Sequence, residues 1–90
     1  MTLEDAIAAN IRAWRARRNF SQAQVADEMR ELGFDVWRRQ TAARTEQGER
    51  RATAGELVAL AQVLGCTPAS LLDLSQSDRV TFPSGKPITG

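Results

Sequence analysis

Eleven of the chain's twelve basic residues are arginine, and nine of these fall in two clusters: Arg12, Arg15, Arg17 and Arg18, then Arg38, Arg39, Arg44, Arg50 and Arg51. A guanidinium is planar, permanently charged and carries a rigid fork of donors, which suits phosphate and base recognition. A GC-rich genome would give the same excess. Within the second cluster Arg39, Gln40 and Arg44 lie within about a helix turn and a half, so one exposed helical face can hold all three. Arginine matches guanine through two hydrogen bonds, and glutamine matches adenine in the same way. This is recognition chemistry. Bond-making chemistry has few tools here: without any His a His-based triad cannot be built. One Cys and no His fall short of a zinc site, and a single thiol forms no internal disulfide. No residue is a catalytic candidate, no metal or other cofactor is expected, and the chain is not expected to be an enzyme.

The formal charge of +1 conceals where the charges sit. Residues 1–11 carry −2; residues 12–51 hold ten arginines against six acids, giving +4; residues 52–90 carry −1. Charge clusters more often mark a solvated helix face than a binding surface, and Arg12, Arg17 and Arg18 are read as such a face. Ninety residues bound the fold to one small domain with one modest core. No stretch is long enough for a bilayer, and the acidic Glu4 and Asp5 are unlike a signal peptide. A soluble cytoplasmic protein with no membrane partner is expected.

The elements that would hold these residues follow from apolar spacing and caps. Thr2 and Asp5 have capping-box spacing and open a helix to about Arg17, with Ile7, Ala8, Ile11 and Trp14 on its buried stripe and Asn19 as its stop. Ser21 and Gln24 open a second helix whose stripe is Val25, Ala26, Met29 and Leu32, stopped by Gly33. A third helix is expected over Arg38–Gln47, ended by Gly48, and its apolar content is little more than Ala42 and Ala43. A helix this polar does not form for the sake of a core. Thr53 and Glu56 open a fourth helix with Leu57, Leu60, Ala61 and Leu64 inward and Gly65 at its end. Thr67-Pro68 then opens a fifth, with Leu71, Leu72 and Leu74 as its buried side. Cys66 is expected to be a small buried residue, and Trp14 and Trp37 to be packing residues. Residues 75–90 change in texture to a linker or tail. Arg79–Phe82 could be a short strand, but a lone strand needs a partner.

Ser21-Gln22-Ala23-Gln24-Val25-Ala26, Gln40-Thr41-Ala42-Ala43-Arg44-Thr45-Glu46-Gln47-Gly48, and Glu56-Leu57-Val58-Ala59-Leu60-Ala61-Gln62-Val63-Leu64-Gly65, in this order, resemble the Cro/C1-type (XRE) helix-turn-helix family over about residues 4–74. The spacing of Trp37, Thr41, Glu46 and Gly48 is similar to that in actinobacterial regulators and their phages. The resemblance implies an all-α, compact five-helix, lambda-repressor-like domain over residues 1–74, followed by the tail 75–90.

It further implies roles for particular residues. The third helix would lie in the major groove, with Arg39, Gln40 and Arg44 at base edges and Arg38 and Thr41 beside them. Gln22 would bond a phosphate and brace the reading helix, a role the free N–H groups of a helix N-terminus support independently. Arg50 and Arg51, in the loop after Gly48, would contact the DNA backbone. Arg15 and Glu46 would form a structural ion pair between the first and third helices. Two departures stand out. Ala42 and Thr45 replace the family's large aliphatic residues, and the turn between the second and third helices is several residues longer, with Phe34, Val36 and Trp37 to fill the volume.

The expected function is sequence-specific double-stranded DNA binding by a phage-type transcriptional repressor. Such a protein would act as a homodimer on an operator of two half-sites, and be nucleoid-associated through its DNA. Leu71, Leu72, Leu74, Val80 and Phe82 would form the dimer surface, with the tail stabilising the dimer. Two rivals remain open. One is the antitoxin of a toxin–antitoxin pair, which a neighbouring toxin gene would favour; the other is a protein-interaction adaptor with the same fold and no DNA binding.

Overall fold

The computed structural model describes residues 1–75, 77 and 79–89; Gln76, Asp78 and Gly90, which belong to the expected tail, lie outside the described residues. Five helices follow one another: α1 (Leu3–Arg18), α2 (Gln22–Glu31), α3 (Arg39–Glu46), α4 (Ala54–Leu64) and α5 (Pro68–Leu71). Their starts are set by local hydrogen bonding. The Thr2 hydroxyl accepts from the Asp5 N–H while the Asp5 carboxylate accepts from the Thr2 N–H, both at 3.1 Å. Ser21 with Gln24 and Thr53 with Glu56 repeat this reciprocal pairing at the heads of α2 and α4. Each such cap stabilises its helix by about 1 kcal/mol.

The core is drawn from α1, α2, α4 and α5. Ile11, Val25, Met29, Leu60, Leu64 and Leu71 are each at most 2% exposed. Each of these side chains contributes about 2 kcal/mol of burial. From α3 only Ala42, Thr45 and Glu46 are buried, so apolar contact alone holds this helix weakly. Trp37, in the turn before it, is 1% exposed and fills the space the small residues leave. Phe34 packs at the edge of the same core.

Three apolar side chains expected inside are outside. Leu32 is 41% exposed, because α2 ends at Glu31 and Gly33, at φ +98°, turns the chain away from the helical stripe. Leu72 is 45% exposed for the same reason: α5 is a single turn that stops at Leu71, and Leu74 beyond it is half-buried. Val36 lies at the outer bend of the turn and fills no volume. Cys66 is only partly buried.

The tail finds its partner within the chain. Asn10 Nδ2 on α1 donates to the carbonyls of Leu71 (2.9 Å) and Asp73 (2.7 Å), fixing the chain's exit from α5. The Thr81 N–H then donates to the Met1 carbonyl at 3.0 Å, beside a parallel bridge between Thr2 and Thr81. A turn at Phe82–Gly85 brings the chain back, and Phe82 and Ile88 donate to Lys86 and Val80 carbonyls at 2.8 and 3.0 Å. Val80 is buried beneath this small hairpin. Arg79–Phe82 does not form the expected strand: Thr81 alone makes isolated bridges, to Thr2 and Pro87 of the same chain, leaving an all-α architecture among the described residues. None of the described helices is long and apolar enough to cross a membrane.

Candidate nucleic-acid interface

The outer face of α3 carries Arg39, Gln40 and Arg44, all exposed. Among the described residues none of these three side chains has a hydrogen-bond or ion-pair partner. Their two expected neighbours are engaged locally. Arg38 Nη1 donates to the carbonyls of Asp35 (2.8 Å) and Trp37 (2.9 Å). The Thr41 hydroxyl accepts from the Arg38 N–H at 3.1 Å and donates to the Val36 carbonyl at 3.3 Å. Thr41 thus caps α3, and Arg38 braces the turn before it.

Polar clamps hold this helix at both ends, where its thin inner face cannot. At the C-terminal end, Glu46 is 3% exposed and receives both prongs of Arg15, from Nε at 2.6 Å and Nη2 at 2.9 Å. Gln22 Nε2 approaches the same carboxylate at 3.4 Å, so its side chain braces α3 from the head of α2. Arg12 Nη1 donates to the Glu46 backbone carbonyl at 2.7 Å, where a cation also complements the negative end of the helix dipole. Arg12 is exposed, as expected of a solvated face, and is also the third member of this clamp. Gly48, at φ +75°, lets the chain leave α3 beside α1. A Cβ there would stand 2.6 Å from Asp5 Oδ1, so a side chain would displace that carboxylate oxygen as well as strain the backbone.

At the N-terminal end the anchor is Trp37. Its indole Nε1 donates to Glu56 Oε2 at 2.6 Å. Arg50 grips the same carboxylate with two donors, at 3.1 and 2.7 Å, and its guanidinium lies 5.2 Å from the Trp37 ring centroid. Arg30 Nη1 donates to the Trp37 carbonyl at 2.6 Å, while its other prong pairs with Asp27. Burial pushes the Glu56 carboxyl pKa up. The Arg50 fork, the Thr53 N–H and the Trp37 indole overcome that push and bring it from 4.5 down to about 2.

A carboxyl depressed in the folded state stabilises the fold fully above its unfolded pKa and loses that contribution as pH falls through the folded value. For Glu56 the window runs from about 4.5 down to about 2. Glu56→Gln should therefore flatten the acid limb of stability across this window, by about 2 kcal/mol after solvent screening at Arg50 is allowed for. Urea denaturation of parent and variant at a series of pH values checks this, and parallel acid limbs would refute it.

The remaining residues fall into separate groups. Arg50, expected on a phosphate, is committed to Glu56; Arg51 is 84% exposed with one loose approach to Glu4 at 3.6 Å. Arg17 and Arg18 lie over the rings of Trp14 and Phe20. Of the residues expected to form a dimer surface, Leu71 and Val80 belong to the protomer's own interior, Leu74 is half-buried, and Leu72 and Phe82 are exposed. Burial pushes the Cys66 thiol pKa up, away from reactivity. No group of three or more His, Cys, Asp or Glu among the described residues is placed to hold a metal ion. The Glu56 cluster was not foreseen from the sequence, where Glu56 stands as a helix cap; its burial, which makes it a partner for Trp37 and Arg50, is visible only in the fold.

A family model described as a helix-turn-helix domain matches residues 6–74, from the first turn of α1 to just beyond α5. No curated protein and no solved structure matches the chain.

Proposed function

The chain belongs to the helix-turn-helix domain family, and on that premise we propose that it binds double-stranded DNA with sequence preference, laying α3 in the major groove. The observation that carries this reading is the face of Arg39, Gln40 and Arg44. These are unpartnered side chains with base-matching donors, on a helix fixed at both ends and contributing little to the core. Such residues do not serve folding, and their chemistry fits base edges. Arg51 supplies a phosphate contact beside them.

The finer reading is a transcriptional repressor of the Cro/C1 type. A reading helix of eight residues makes limited contact, which favours a symmetric dimer on two half-sites about one DNA turn apart. Leu72 and Phe82 are two of the exposed apolar groups that such a pairing could use.

Selection from genomic fragments followed by footprinting tests the reading. The expected result is an enriched sequence with two protected patches about 10 base pairs apart. Affinity should fall with salt by about 0.9 log units per log unit for each phosphate neutralised. No enriched sequence and no salt-dependent binding would leave the protein-interaction adaptor instead.

A further inference from the structure

We propose that Trp37, Glu56 and Arg50 form a positioning device for the N-terminal, base-reading end of α3, in which Arg50 acts through the indole and the carboxylate and does not itself touch DNA. The inference rests on the DNA-reading proposal above and assigns a different role to each of the three residues.

Three observations converge on it. The turn from Leu32 to Arg38 is long, so its covalent geometry alone does not fix the direction in which α3 starts. Trp37 stands immediately before the capping Arg38 and two positions before Arg39, is 1% exposed, and is tied by its indole N–H to Glu56 at 2.6 Å. Glu56 is rooted at the head of α4 through the Thr53 N–H at 2.8 Å. The reading end of α3 is therefore referenced to α4, independently of the Arg15–Glu46 pair at its other end.

Arg50 closes the device from above. It uses two donors on the Glu56 carboxylate while its guanidinium carbon lies 5.2 Å from the indole ring centroid, so one group meets both partners. A lysine cannot reproduce this, because an ammonium is a point charge with no fork and no plane. A phosphate contact, by contrast, tolerates lysine well. Drawing both donors off to a phosphate would strip this buried carboxylate of half its partners, leaving only the indole and a backbone N–H.

The test uses Arg50→Lys and Trp37→Phe, with Arg51→Ala as the phosphate-contact control. Affinity for the footprinted sequence and for a random duplex is measured for each protein over a range of salt. Arg50→Lys should lower the ratio of specific to random affinity about tenfold, equivalent to 1.4 kcal/mol, with the salt slope unchanged. Trp37→Phe, which keeps a ring but loses the N–H, should move the ratio in the same direction. Arg51→Ala should weaken both duplexes and reduce the slope by about one. A variant that is merely less stable loses folded molecules from both measurements equally, so the ratio isolates positioning from stability. If Trp37→Phe does not fold, Arg50→Lys decides alone. A ratio unchanged in Arg50→Lys overturns the proposal and returns Arg50 to the phosphate-contacting loop. A parent protein that binds neither duplex overturns the DNA reading itself, an outcome distinct from a binding parent with an indifferent variant.

Discussion

Glu46→Ala is expected to destabilise the fold by about 3 kcal/mol and to lower Tm by roughly 15 °C for a domain of this size. Glu46 is buried on the inner side of α3 and is the only carboxylate that Arg15 meets among the described residues. Truncation removes both prongs of the pair and the Gln22 contact. It leaves a guanidinium with one remaining protein acceptor, the Phe20 carbonyl at 2.9 Å. Arg15 keeps 21% of its side-chain surface in solvent, which places the loss at the lower end of the range for breaking a buried pair. The Arg12 bond survives, because its acceptor is the backbone carbonyl of residue 46. Arg15→Ala should be at least as damaging, since it strands the more deeply buried partner. The double variant should cost less than the sum of the singles, as expected for residues in direct contact. Urea denaturation of all four proteins measures this; a Glu46→Ala variant within 0.5 kcal/mol of the parent would show that α3 is held by other means.

Arg44→Ala should produce the opposite pattern. Its side chain is exposed and unpartnered, so the substitution should change stability by less than about 0.5 kcal/mol. Binding to the preferred sequence should fall about ten- to a hundredfold, the loss of one paired guanine contact. The loss should be confined to one base pair, with every alternative at that position now bound alike. A panel of duplexes varied one position at a time gives the answer. Uniform weakening across the panel would make Arg44 a phosphate ligand and remove it from the base-reading set.

What could be read from the sequence was local. Each helix start is decided within three residues, as in Thr2 with Asp5 or Ser21 with Gln24, and the apolar spacing of α4 allows one inward face. The exposed face of α3 was legible for the inverse reason, since Arg39, Gln40 and Arg44 have no place in a core. The contacts that escaped depend on residues far apart in the chain or on where an element ends. Trp37 and Glu56 are 19 residues apart, and nothing local distinguishes an indole that needs an acceptor from one that merely packs. Arg50 was expected on a phosphate from the family resemblance alone; its carboxylate partner lies across the loop on α4. Leu32 and Leu72 continue their helical stripes in sequence, but each helix stops one residue short of them. The 79–89 hairpin depends on the first residues of the chain, a pairing that spacing cannot reveal.

The separation between the clamped ends of α3 and its free outer face bears on how such a protein changes partners over time. The side chains of residues 39, 40 and 44 are exposed and make no hydrogen bond or ion pair among the described residues, whereas Glu46, Trp37 and Glu56 are buried and bonded to the elements around α3. Substitutions at the first three positions can therefore accumulate without eroding the scaffold, the usual obstacle to acquiring a new activity. A library randomised at these positions alone should consist mostly of folded members with divergent preferences. The same diversity introduced at 37, 46 and 56 should yield mostly unfolded chains. A recognition code carried by this face would, in this sense, be rewritable independently of the frame that presents it.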